Sequence, residues 1–314
     1  MTISRGGAGD GGMDGGMDGG MGVGVSMFAG GAMVPGPLGS VPLDGVLAEP
    51  SPDSRFCLFT NARFPESAWD PALRAQVVLA EFGGTEWRKV KVPDRDDNPR
   101  KLREGIEVLL EQRQERPGRL PEILVQGENL ELYWRNMLMV ARGRPYTATL
   151  IEIAMAVGHM VGLYWKAKYM RPRPVQVFPA IMPAIMTPSH PSYPNNHAFQ
   201  SHLIALSVGE IFKGDTKAAM RAPLLALANR IGRNREVAGL HFPADTRASA
   251  LLAPQIFELL KGCETFNDVL AKAGIEWREL VPGERPDNVE PTEGVMDRIG
   301  DAIYRRFHAS GDLR

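Results

Sequence analysis

Apolar positions along this chain recur mostly three and four residues apart, the spacing of helices that bury one face. Between residues 100 and 114, Leu102, Ile106, Leu109 and Leu110 share one side while charged residues fill the other, which predicts an amphipathic helix. Similar periodicity predicts helices over 70–82 and 121–141. Pro121 suits a first turn, and Gly143 with Pro145 suits a stop. The stretch 147–170 is apolar on nearly every face and reads as a buried core helix. Pro172 and Pro174 end it, because their rings and missing N–H groups cannot continue the ladder. Further helices are expected over 197–212, 218–237, 245–261, 265–273 and 292–309. Strand signals are few, so the chain is expected to be all-α.

The pattern lapses over 174–196, a loop flanked and filled by seven prolines from Pro172 to Pro194. Connections inside compact domains usually span about 4 to 6 residues, so a long proline-rich one is expected to carry function. The chain enters it through the cationic run from Lys166 to Arg173 and Pro174. It leaves through Pro194, Asn195, Asn196 and His197 at the start of a helix. Asn is a favoured N-cap, and the free amides of a first helical turn attract oxyanions.

Composition separates one end from the rest. Residues 1–50 hold 16 of the 34 glycines and cannot bury enough surface to offset chain ordering, so they are expected to form a flexible tail ahead of a single domain over 51–314. The tail lacks the apolar run of a secretory signal, which makes the cytoplasm the default location and leaves export open. Lys plus Arg (36) against Asp plus Glu (37) gives a formal charge of -1, so no global field favours nucleic acid. Mean hydropathy is -0.18. The longest apolar stretch, 147–165, carries Glu152 and His159, so no transmembrane segment is expected. Cys57 and Cys263 allow one disulfide but no cysteine metal box.

Three short stretches bring cations, imidazoles and a carboxylate: Lys166-x6-Arg173-Pro174, then Pro194-Asn195-Asn196-His197, then Arg235-x5-His241-x3-Asp245. In this order and spacing they resemble the three-part signature of the type-2 phosphatidic acid phosphatase and vanadium haloperoxidase superfamily. The runs Tyr169-Met170-Arg171-Pro172-Arg173-Pro174, Pro191-Ser192-Tyr193-Pro194 and Ala238-Gly239-Leu240-His241-Phe242-Pro243-Ala244-Asp245 resemble its soluble bacterial members. The likeness covers residues 145–262. It implies a helical bundle of the acid phosphatase and vanadium haloperoxidase type, with the proline-rich loop at the active site. Two departures stand out. The family's Pro-Ser-Gly-His is Pro-Asn-Asn-His here, and its Ser-Arg is Asn234-Arg235. Asn195 is therefore expected to offer its side-chain amide to the anion and Asn196 its backbone N–H, the latter from a left-handed backbone.

The chemistry also follows from residue types. Lys166, Arg173 and Arg235 would neutralise a tetrahedral oxyanion. His241 is the expected nucleophile, its ring oriented by Asp245, and His197 the expected general acid for the leaving oxygen. The primary expectation is phosphoric ester hydrolysis through a phosphohistidine, acting on a small phosphorylated substrate without a cofactor. The resemblance implies an alternative in which vanadate on His241 uses peroxide to oxidise a halide. A third reading is a non-catalytic oxyanion-binding or structural descendant; self-association into a homo-oligomer is left open. Other residues read plainly: Lys168 as a basic last turn, Arg230 and Arg233 as a solvated face, His159 as a core histidine. His197 and His202 are five apart, about 140° around a helix, and so do not form an i, i+4 metal pair.

Overall fold

The structure is a computed structural model that describes residues 63–278 apart from 94, 96, 141 and 142. The tail over 1–50, Cys57 and the helix expected over 292–309 lie outside the described residues. Among the described residues the regular structure is helical, with ten α-helices and no strand. Helix α1 (Pro71–Gly83) starts on Asp70, whose carboxylate accepts from the amides of Ala72 and Leu73. Helix α2 (Pro99–Gln112) starts in the same way on Asn98. In both, a proline takes the first position, where its missing donor costs nothing.

The helix expected over 121–141 is instead two, α3 (Arg116–Glu128) and α4 (Glu131–Met137). Pro121 lies inside α3, because Pro117 already occupies the first turn. The break falls at Asn129, which leaves helical geometry at φ -144 and ψ 83. Its side-chain oxygen accepts from the Leu132 amide at 2.9 Å, a local bond that competes with continuing the helix.

Helix α5 (Pro145–Tyr169) is the core helix that its all-round apolar pattern predicts. It has no side-chain cap of its own. Glu276, from the far end of the described chain, accepts from the amides of Tyr146 and Thr147 at 2.7 and 2.9 Å and from the Thr147 hydroxyl at 2.6 Å. By length and composition the stretch Pro145–Val177 could cross a bilayer, and 72% of its apolar window is buried inside the protein. Met170 ends α5 in the left-handed region at φ 48.

The loop contains the single turn α6 (Pro174–Val177) and a tight turn at Pro179–Ile181. Arg116 pins its far side, donating to the carbonyls of Val237 (2.8 Å), Met182 (2.5 Å) and Ile181 (3.2 Å). The peptide before Pro194 is cis. Then come α7 (Asn196–Gly209), α8 (Gly214–Val237), α9 (Pro243–Leu260) and α10 (Glu264–Glu276). Helix α8 begins a turn earlier than its apolar pattern suggests, with Asp215 in the first turn, where the helix dipole favours an acid.

Helices α5 and α7 form the central pair; α7 also packs on α8 and α9, and α5 on α1 and α10. Ile151, Val157 and Val161 of α5 and Phe199, Leu203 and Val208 of α7 are fully buried, each contributing about 1.5–3 kcal/mol of transfer free energy. Glycine sets how closely the start of α7 approaches. A Cβ on Gly162 of α5 would lie 1.9 Å from Asn196 Oδ1, and one on Gly232 of α8 would lie 3.1 Å from the Ala198 Cβ. These two positions seat the first turn of α7 between α5 and α8. Cys263 is a buried free thiol.

Candidate active site

Asp245 is the third residue of α9, where a carboxylate answers the free amides of a helix start. Its Oδ2 accepts from the Phe242 amide at 3.0 Å and from the Ser192 hydroxyl at 2.5 Å, and lies 3.2 Å from His241 Nδ1. Its Oδ1 accepts from Arg171 Nη1 at 2.6 Å. Asp245 is wholly buried, and these four donors replace the water that its charge has lost.

Arg173 decides the state of the His241 ring. Its Nη1 lies 2.9 Å from His241 Nε2 and donates to the Leu240 carbonyl at 3.0 Å. Its Nε donates to the His190 carbonyl at 2.9 Å, and its Nη2 lies 3.1 Å from His190 Nδ1. A guanidinium has donors only, so the contact requires a lone pair on His241 Nε2. Neutral His241 then keeps its proton on Nδ1, directed at Asp245. The ring presents an unprotonated nitrogen to a cation. Lys166, in the last turn of α5, joins through the loop, donating from Nζ to the carbonyls of Pro191 at 2.8 Å and Ser192 at 3.2 Å.

The other half gathers at the start of α7. Asn195 is its N-cap, with Oδ1 accepting from the Ala198 amide at 3.3 Å, Nδ2 donating to Thr246 Oγ1 at 3.1 Å, and the backbone amide donating to the Asp245 carbonyl at 3.3 Å. His197 Nε2 donates to the Gln126 carbonyl of α3 at 3.0 Å, which places a proton on that nitrogen. Arg235, near the end of α8, donates from Nη2 to the Ile123 carbonyl at 2.7 Å. Asn234 bridges the same helices, donating to Gln126 Oε1 and Glu122 Oε2, both at 2.9 Å.

No family model and no curated protein matches the sequence. Among solved structures, the chain is similar to a transmembrane PAP2-type phosphatidylglycerolphosphate phosphatase from Bacillus subtilis. The two share 17% identity at a TM-score of 0.31, over 62% of this chain and 95% of that one. A likeness of that size carries no assignment. The geometry of the residues has to carry it.

That geometry joins Lys166, Arg173, His241 and Asp245 through shared contacts with the loop. It holds Asn195 against Asp245 and ties His197 and Arg235 to α3. Both asparagines are set by the start of α7. The Asn195 side-chain amide caps α7 and bonds Thr246, because a free first-turn amide and a neighbouring hydroxyl lie within its reach. Asn196 opens α7 in ordinary helical geometry, without the positive φ expected of it, and its side chain packs against Gly162. His197, the expected general acid, faces α3 with its Nε2–H.

Residue reasoning gave no role to Arg171 and Ser192, although both stand in the runs that carry the family likeness. Arg171 is 2% exposed, pairs with Asp97 at 3.0 Å as well as with Asp245, and lies 4.4 Å over the Phe242 ring. A second Arg-Pro beside the first was the only signal that could have found it.

Proposed function

We propose that the chain hydrolyses phosphoric esters through a phosphohistidine formed on His241. The observation that carries this reading is the His241 ring, with its Nδ1 against a buried carboxylate and its Nε2 beside Arg173. Nε2 attacks phosphorus in line, forming the P–N bond as the ester P–O bond breaks. Arg173 transfers its Nη1 contact from Nε2 to a phosphoryl oxygen, and Asp245 stabilises the imidazolium that develops. Lys166, Arg235 and the backbone N–H of Asn196 in the first turn of α7 neutralise the other oxygens. Asn195 contributes by holding that turn in place. The leaving oxygen takes its proton from His197, replacing the Gln126 carbonyl as partner of the Nε2–H. Water, giving its proton to His197, then cleaves the P–N bond and releases phosphate.

Vanadate is a tetrahedral oxyanion that suits the same donors. It is therefore expected to compete with the substrate, and the hydrolysis needs no resident cofactor. The test is a paired assay of the full chain and His241→Ala for aryl phosphate hydrolysis and for bromide oxidation with peroxide and vanadate. Hydrolysis inhibited competitively by vanadate and lost in the variant supports the reading. Obligatory activation by vanadate establishes the haloperoxidase reading in its place, and phosphate binding with neither activity leaves an oxyanion-binding protein.

A further inference from the structure

A cavity of about 710 Å³ opens between α7, the N-terminal half of α8 and the middle of α9, and none of the residues assigned above to the anion site lines it. Its walls are single helix faces: His202, Ala205, Leu206 and Gly209 of α7, spaced i, i+3, i+4 and i+7, face Ala218, Arg221, Leu224 and Leu225 of α8. Ala250 and Pro254 of α9 close the third side. The floor is buried, with His202, Ala205 and Leu224 at 6%, 5% and 1% exposure. The volume lies within the range of small-molecule sites, and the lining is mainly apolar, as such sites usually are.

His202 Nε2 is buried with no hydrogen-bond partner, an unusual condition for a ring nitrogen inside a protein. Burial lowers the His202 pKa to about 4, so the ring is neutral at pH 7 and adds no charge to the cavity floor. Pro254 lies inside α9 and has no N–H to give to the carbonyl of Ala250, four residues earlier, and both residues line the cavity. At the mouth, Lys217 is bonded to Glu210 at 2.9 Å. Arg221 is exposed there and has no ion-pair partner among the described residues, which leaves the mouth a net positive charge.

We propose that this cavity is a second ligand site, taking an amphipathic organic anion whose apolar body lies against Ala205, Leu206, Leu224 and Leu225 and whose carboxylate meets Arg221. The neutral His202 ring adds no charge at the floor, which suits an apolar body there. The proposal does not depend on the reaction assigned to His241.

Calorimetric titration of the full chain with decanoate below its micellar concentration, alongside decanol and decyltrimethylammonium, tests it. Saturable one-to-one binding of decanoate is expected, at least about 10-fold tighter than either comparison. Arg221→Ala and Ala218→Trp change exposed residues at the mouth, so both variants should keep the wild-type melting temperature. Arg221→Ala should weaken decanoate at least about 10-fold, and Ala218→Trp should block it. Absence of saturable binding overturns the proposal, as does affinity unchanged in both variants or decanol binding as tightly as decanoate. Decanoate lost in His241→Ala but kept in Ala218→Trp would place the anion at the candidate active site and overturn it as well.

Discussion

His241 and His197 stand at the starts of neighbouring helices, and both are almost fully buried, yet their surroundings differ in kind. His241 has its carboxylate four residues along the chain, so the helix start that positions Asp245 also orients the ring. Arg171, Ser192 and the Phe242 amide then hold that carboxylate. The His197 Nε2 meets a backbone carbonyl of α3, 71 residues earlier in the chain. A nucleophile needs a fixed tautomer and a supporting charge. A proton donor has to exchange its partner during the reaction, and a neutral carbonyl releases a proton more readily than a carboxylate does.

The largest expected effect separates the two histidines directly. His241→Ala should lower aryl phosphate turnover on the order of 10⁴-fold or more, whatever the leaving group. His197→Ala should cost about 10²- to 10⁴-fold, with the loss smaller for 4-nitrophenyl phosphate than for phenyl phosphate, because a better leaving group needs less protonation. Equal losses on both substrates would remove His197 from the acid role and leave it as a tie between α7 and α3.

Next is the buried support of Asp245. Arg171→Met leaves that carboxylate short of its charged partner and should cost about 3–5 kcal/mol in urea unfolding. A Lys replacement should recover part of the loss. A cost below about 1 kcal/mol, the range of exposed ion pairs, would show that the Ser192 hydroxyl and the backbone amide suffice.

His202, a third histidine and also on α7, has a buried Nε2 with no hydrogen-bond partner and sharpens the comparison through pH. Its pKa is lowered by burial from the usual 6.5 to about 4, so protonation favours unfolding. The stability it contributes is complete above pH 6.5 and is lost as pH falls through 4. His202→Leu should remove about 3 kcal/mol of that acid sensitivity relative to the wild type. Parallel stability curves for the two proteins from pH 7 to 4 would contradict the buried, neutral ring.

The smallest effect concerns the cap between the two halves. Asn195→Ala removes one N-cap bond and the contact with Thr246, and should lower stability by about 1 kcal/mol, while Asn195→Ser should recover most of it. Substrate affinity lowered more than 10-fold in Asn195→Ser at unchanged stability would return the Asn195 amide to the anion, as the sequence first suggested.

Much of this was legible in the chain. The helix class, the core helix α5 and the i, i+4 pairing of His241 with Asp245 follow from periodicity, from proline stops and from the geometry of a single helix start, all of which act over a few residues. The helix expected over 121–141 was missed for an equally local reason: the side chain of Asn129 outcompeted an apolar pattern that continued across it. The partners of Arg171, Arg235 and His197 come from residues 70 to more than 100 positions away, where spacing carries no information. Asn196 shows the division in one residue. Its place at the start of a helix could be read from the chain, whereas the direction of its side chain depends on the gap that Gly162 leaves in α5, a helix that only packing brings beside it.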